Sequence, residues 1–132
     1  MTTVMCFGSF DVLHPGHMYY LKESKNYGDK LVVVVAKDST IKKIKGKEPK
    51  YSERERLEHV RDVQYVDKAV LGYEEDPYEI IEEINPDIIC LGYDQDSYSE
   101  NLAEELKKRG MNPKIYRLKA YKEHIYKSSK LK

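Results

Sequence analysis

The sequence predicts an α/β fold: a Rossmann-like, doubly wound parallel sheet of about five strands with helices on both faces. Three observations point to it. Short apolar runs rich in β-branched residues recur along the chain, and each is followed by a stretch of helical period. The run Leu31-Val32-Val33-Val34-Val35-Ala36 shows no polar alternation, as expected of a strand covered on both faces. The stretch from Gly8 to His17 has the composition of a strand–loop–helix junction, the place where such folds bind phosphate.

Taken in order, Thr3 to Phe7 is the first strand, and the first helix runs from Pro15 to about Asn26. Pro15 suits a first helical position, where the missing N–H costs nothing. Leu31 to Ala36 is the second strand, and Asp38 to Lys50 reads as a basic, polar connection. Ser52 with Glu55 forms a capping box, opening a helix that turns Leu57, Val60 and Val63 inward. Ala69 to Leu71 is a short third strand. Asp76-Pro77-Tyr78-Glu79 again has a cap, a proline and a glutamate in helix-start order, with Ile80, Ile81 and Ile84 on the buried face. Ile88 to Leu91 is the fourth strand. Ser97 with Glu100 can cap the next helix, whose Leu102, Ala103 and Leu106 share a face, and Lys114 to Leu118 is the fifth strand.

The 132 residues are expected to form one domain, 1–132, with a single sizeable core. Lys plus Arg and Asp plus Glu number 23 each, which argues against a nucleic-acid coat or an anionic-membrane binder. The apolar runs are too short to span a bilayer, and no signal-peptide pattern appears, so a cytoplasmic protein is expected. Cys6 and Cys90 each lie in an apolar run and read as core residues; no Cys/His cluster suggests zinc.

Ligands of an open α/β sheet bind beyond the carboxyl ends of its strands. Those ends are Gly8–Asp11, Lys37–Asp38, Gly72–Tyr73, Gly92–Gln95 and Lys119–Tyr121. In the first of them Gly8 permits close approach, and Gly16 leaves the helix start open. His14 and His17, three residues apart, can face one side of the first helical turn, beside free helix N–H groups. Such a site suits a phosphate whose charge is changing. The lysines of Lys42–Lys50 are either a solvated loop or a mobile basic flap over that phosphate.

The form Gly8-Ser9-Phe10-Asp11-Val12-Leu13-His14-Pro15-Gly16-His17 resembles the H-x-G-H signature of the nucleotidyltransferase superfamily, most of all its small cytidylyltransferase-like branch. That resemblance implies attack of an acceptor phosphate on the α-phosphorus of a nucleoside triphosphate, with pyrophosphate leaving in line. His14 and His17 would contact the phosphates; Ser9 and Phe10 would offer backbone groups, with Pro15 and Gly16 completing that binding segment. Arg56, on the helix after Ser52, fits the family position of an arginine aimed at the active site, and Lys45 or Lys47 of the basic flap is the candidate catalytic lysine among five. A divalent metal, Mg²⁺, would bridge the phosphates with Asp11 as an indirect partner. Lys127-Ser128-Ser129-Lys130 resembles the family's closing element at the triphosphate, although it departs from the R-x-x-G-I-S-T-T form. Leu91-Gly92-Tyr93-Asp94-Gln95, together with Tyr121, Ser128 and Ser129, resembles the archaeal FAD synthases of this superfamily. The resemblance therefore implies ATP and FMN as substrates, Asp94 and Tyr121 at the ATP site, and a homodimer. A cytidylyltransferase using CTP and glycerol 3-phosphate, a sugar-phosphate adenylyltransferase and a noncatalytic nucleotide sensor are the alternatives.

Overall fold

The computed structural model describes residues 1–92 and 101–118. Five parallel strands form one sheet in the order β3-β2-β1-β4-β5. They are β1 (Thr3–Gly8), β2 (Lys30–Val35), β3 (Lys68–Leu71), β4 (Ile88–Leu91) and β5 (Lys114–Arg117). The helices are α1 (Pro15–Lys25), α2 (Asp38–Lys45), α3 (Glu53–Arg61), α4 (Glu79–Ile84) and α5 (Leu102–Lys108).

The alternation of side chains along β1 builds two apolar layers. Val4 and Cys6 pack on one face with Leu21 of α1 and Val60 of α3. Met5 and Phe7 pack on the other with Ile80 and Ile81 of α4 and Leu102 and Leu106 of α5. Helices therefore cover both faces, as the unbroken valine run of β2 predicts. Cys6 and Cys90 are buried, free and in register across β1 and β4. Burial pushes the Cys6 thiol up out of the reactive range, so its role is packing.

Three aspartates lock the amino ends of the strands. Asp29, Asp67 and Asp87 each precede a strand, and each accepts a backbone N–H from the neighbouring chain segment: Thr2 at 2.8 Å, Leu31 at 2.7 Å and Thr3 at 2.8 Å. Asp67 also pairs with Lys25 at the end of α1. On the opposite face Arg109 bonds to Asp76, Glu82 and Glu105, tying α4 to α5.

The expected elements differ in three places. The basic connection holds a helix, α2, which ends on Gly46 in the left-handed conformation (φ 75°) with Lys42, Lys43 and Lys45 in its last turn. Those are ordinary helix-stop signals, hidden in a run of lysines. The helix expected from Pro77 begins at Glu79, although the Asp76 side chain does accept the Tyr78 N–H at 3.0 Å. Ala103 is exposed, so α5 buries only Leu102 and Leu106 among the three expected residues. The expected cap at Ser97 lies outside the described residues.

Asp67 supplies the prediction here. Its side-chain bond from Lys25, then the Leu31 N–H, hold its carboxyl below the usual value. A depressed carboxyl contributes stability that is present above the unfolded value of about 3.9 and is lost as pH falls through the lower folded value. Asp67→Ala should cost roughly 1 kcal/mol near neutral pH, little more because the pair is partly exposed. The urea-melting difference from the wild type should shrink as the pH is lowered through that window.

Candidate active site

The site is built at the carboxyl edge of the sheet, where β1 stands between β2 and β4. This is the point where the order of connection reverses, the usual crevice of an open α/β sheet. The first and fourth strands, expected to end on one edge, run side by side, paired as far as Cys6 and Cys90.

Phe10 forms the floor. It adopts φ 50°, rare for a residue with a Cβ, and its ring is 1% exposed. A Cβ on Gly8 would meet Cε2 and Cζ of that ring at 2.7 Å, so the glycine makes room for the ring to lie against β1. The His17 ring meets the Phe10 ring edge-on at 5.2 Å between centroids, and His14 stacks on His17 at 3.8 Å. The two histidines thus share one side of the first turn of α1.

His14 is the N-cap of α1. Its Nδ1 accepts the N–H groups of Gly16 at 3.0 Å and His17 at 3.3 Å. That commits Nδ1 as an acceptor and leaves Nε2–H as the donor. It also corrects the expected picture of a helix start with free N–H groups, because the histidine ring takes two of them. Pro15 occupies the first helical position as expected.

Arg56 differs from an arginine aimed at substrate. Its side chain has no exposed surface. Nε donates to the Tyr51 carbonyl at 3.0 Å, one terminal nitrogen to the carbonyls of Ser9 at 2.9 Å and Ala36 at 2.7 Å, and the other to Asp38 at 2.7 Å. It lies beneath the site as a tie between the ends of β1 and β2, the start of α2 and the entry to α3.

Asp11 makes a second tie. Its carboxylate accepts the N–H groups of Lys50 at 2.7 Å and Tyr51 at 2.8 Å. Burial works to raise this carboxyl. The two N–H bonds, helped by the charges of Arg56 and Lys45, outweigh it and hold the group below the usual range. The lysine-rich stretch is therefore anchored at both ends: near Asp38 by Arg56, and at Lys50–Tyr51 by Asp11. Glu53 adds a bond to the Asp38 N–H at 2.9 Å. Lys45 is exposed, on the side whose charge bears on Asp11. The stretch is thus a helix and a turn tied at both ends, with all five of its lysines exposed.

Among the described residues no group of three or more His, Cys, Asp or Glu side chains could hold a metal ion. The Asp11 oxygens are engaged by backbone N–H groups, so the described residues do not make a metal site of their own. Among them no helix is long and apolar enough to cross a membrane. Asp94, Tyr121, Ser128 and Ser129 lie outside the described residues.

Residues 5–132 match the cytidylyltransferase-like family. The chain belongs to that family. Among similar curated proteins are the FAD synthase of Aciduliprofundum boonei, 48% identical over 92% of this chain and 80% of its own. The FAD synthase of Thermoplasma volcanium is 45% identical over 100% of this chain and 92% of its own. A crystal structure described as the lipopolysaccharide core biosynthesis protein of Thermoplasma volcanium has a TM-score of 0.87 at 47% identity, covering 92% of this chain and 98% of that one. The Francisella tularensis pantoate-beta-alanine ligase shares the fold, with a TM-score of 0.68 at 13% identity over 92% of this chain and 60% of that one.

Sequence reasoning missed the Asp11 strap, the Glu53 cap and Tyr20, which bonds to both β1 and β4. Only Tyr20 had a local signal: it lies three residues after His17, on the same helical face. The Gly8–Phe10 contact yields a prediction. Gly8→Ala should destabilise the protein by about 1–3 kcal/mol through overpacking. The cost should be smaller in a Phe10→Leu background, because the ring it strikes is gone. Denaturant melts of the four proteins measure the coupling.

Proposed function

We propose that the protein is an FAD synthase, moving AMP from ATP to the phosphate of FMN and releasing pyrophosphate. The observation that carries this reading is the similarity to FAD synthases over most of both chains. It includes the stretch that seats the paired histidines. A phosphate oxygen of FMN would attack the α-phosphorus. A new P–O bond forms there as the bond to the bridging β-phosphate oxygen breaks, and the electron pair leaves with pyrophosphate.

Such a reaction needs positioned charge more than covalent chemistry. The Nε2–H of His14, oriented by the cap on Nδ1, would donate to a phosphate oxygen. His17, stacked beside it, would face the same growing charge. Ser9, Phe10, Pro15 and Gly16 would line the nucleotide from the β1–α1 turn, and Asp94, Tyr121, Ser128 and Ser129 would complete the ATP site. Lys45 would lend positive charge to the triphosphate from the clamped stretch. Arg56 acts at one remove, as a positioning residue that holds the Ser9 and Ala36 carbonyls together.

Members of such transferase families work with a divalent metal, and our reading is Mg²⁺ carried on the triphosphate, where it would offset charge. Asp11 is then a strap for the lysine-rich stretch. The same reading places the protein in the cytoplasm, with its substrates, as a homodimer of one-domain subunits that acts on neither nucleic acid nor membrane. The second reading is transfer to a sugar phosphate, favoured by the description of the lipopolysaccharide-core relative.

The test is a matrix of ATP or CTP against FMN, glycerol 3-phosphate and sugar 1-phosphates. ATP with FMN should yield FAD and pyrophosphate. Turnover of only CTP with glycerol phosphate, or only of a sugar phosphate, would sink this reading. His17→Ala should lower kcat by about 10²-fold or more, as for loss of a preorganised charge stabiliser. Asp11→Asn should lower kcat while leaving the metal concentration for half-maximal rate unchanged; a large rise in that concentration would make Asp11 a metal partner after all.

A further inference from the structure

The pairing of β1 with its two neighbours ends at different heights. With β2 it continues to Gly8, opposite Val35. With β4 it ends at Cys6, opposite Cys90, whereas β4 itself stays paired with β5 as far as Leu91. At the end of the β1–β4 pairing sits the hydroxyl of Tyr20, from the second turn of α1. It donates to the Cys90 carbonyl at 2.6 Å and accepts the Phe7 N–H at 3.4 Å. Burial pushes the Tyr20 phenol well above its ordinary value, so the hydroxyl keeps the proton it donates.

The ring of the same residue is the base of an aromatic column. It lies nearly parallel to Phe10, 6.5 Å between centroids and 20° between planes. Phe10 carries His17 on its edge, and His17 carries the His14 ring. The column therefore runs from the exposed His14 to the backbone of the two strands that flank the crevice. The left-handed backbone of Phe10 (φ 50°) is a conformation that its surroundings must hold, and its ring is packed against Gly8, His17 and Tyr20.

We propose that Tyr20 is a positioning residue: its hydroxyl closes the β1–β4 pairing and, through Phe10, sets the orientation of His17 at the reacting phosphate. This rests on the nucleotidyl-transfer reading above. Its consequence is a specific one. Removing the hydroxyl frees the base of the column and loosens the orientation of His17 without deleting any group that touches substrate. The loss therefore falls on the transition state more than on ATP binding.

Tyr20→Phe keeps the ring on Phe10 and removes only the hydroxyl. Its kcat for FAD formation should fall about tenfold or more, with the KM for ATP changed by less than about threefold. Its thermal midpoint should stay within a few degrees of the wild type. The imidazole NMR signals of His17, assigned with His17→Gln, should move on adding ATP alone in the wild type, and should broaden or shift differently in the variant. Because that readout needs no FMN, it separates failure of this inference from failure of the FAD synthase reading. A variant with wild-type kcat and unchanged His17 signals overturns the inference. So does one that loses its fold, or one whose loss is entirely in KM, since the hydroxyl would then serve stability or ground-state binding.

Discussion

The carboxyl edge of the sheet depends on a guanidinium with no exposed surface. Arg56 collects the carbonyls of Ser9, Ala36 and Tyr51 and the Asp38 carboxylate. An unpaired cation in such a place would cost several kcal/mol, so the arginine and its acceptors stand or fall together. The planar fork of Arg suits that geometry, because several fixed donors meet several fixed acceptors at little cost in freedom. Among the described residues, the two stretches that could act on a phosphate are both tied to it. The turn that leads to His14 begins at Ser9, and the lysine-rich stretch starts at Asp38 and returns at Tyr51.

A second layer of constraint is local and aromatic. Gly8, Phe10, His17 and His14 contact one another in sequence, and the His14 ring also caps its own helix. The helix start is thereby stabilised from within, and the orientation of a reactive ring is a by-product of capping. Strain at Phe10 and saturation at Arg56 are complementary. The first puts Phe10 in a backbone conformation that a residue with a Cβ rarely adopts, and the second holds the neighbouring Ser9 carbonyl with a guanidinium whose three nitrogens all donate.

Much of this was legible in the sequence because it is periodic or local. The valine run of β2, the capping box at Ser52 and Glu55, and Pro15 at the first helical position all carry their meaning within a few residues. The paired histidines were legible for the same reason. What escaped is non-local. Asp11 meets Lys50 and Tyr51, and Arg56 meets Ser9, across some forty residues of chain. Nothing in the residue types at either end of those contacts announces the partner. An arginine on a polar helix therefore reads as exposed or as a substrate contact, when it is the most deeply buried charge among the described residues. The helix α2 escaped for a different reason: its lysines look like a loop, and its one buried anchor is Ile41.

The claim on which the account rests is that the α-phosphorus of ATP is attacked and that β- and γ-phosphates leave together. The most direct measurement gives the protein FMN with ATP labelled either at the α- or at the γ-phosphate. Label from the α-position should appear in the flavin product, and label from the γ-position in pyrophosphate. Transfer of the γ-label to the flavin, or release of the γ-label as free phosphate with no labelled flavin, would contradict the account.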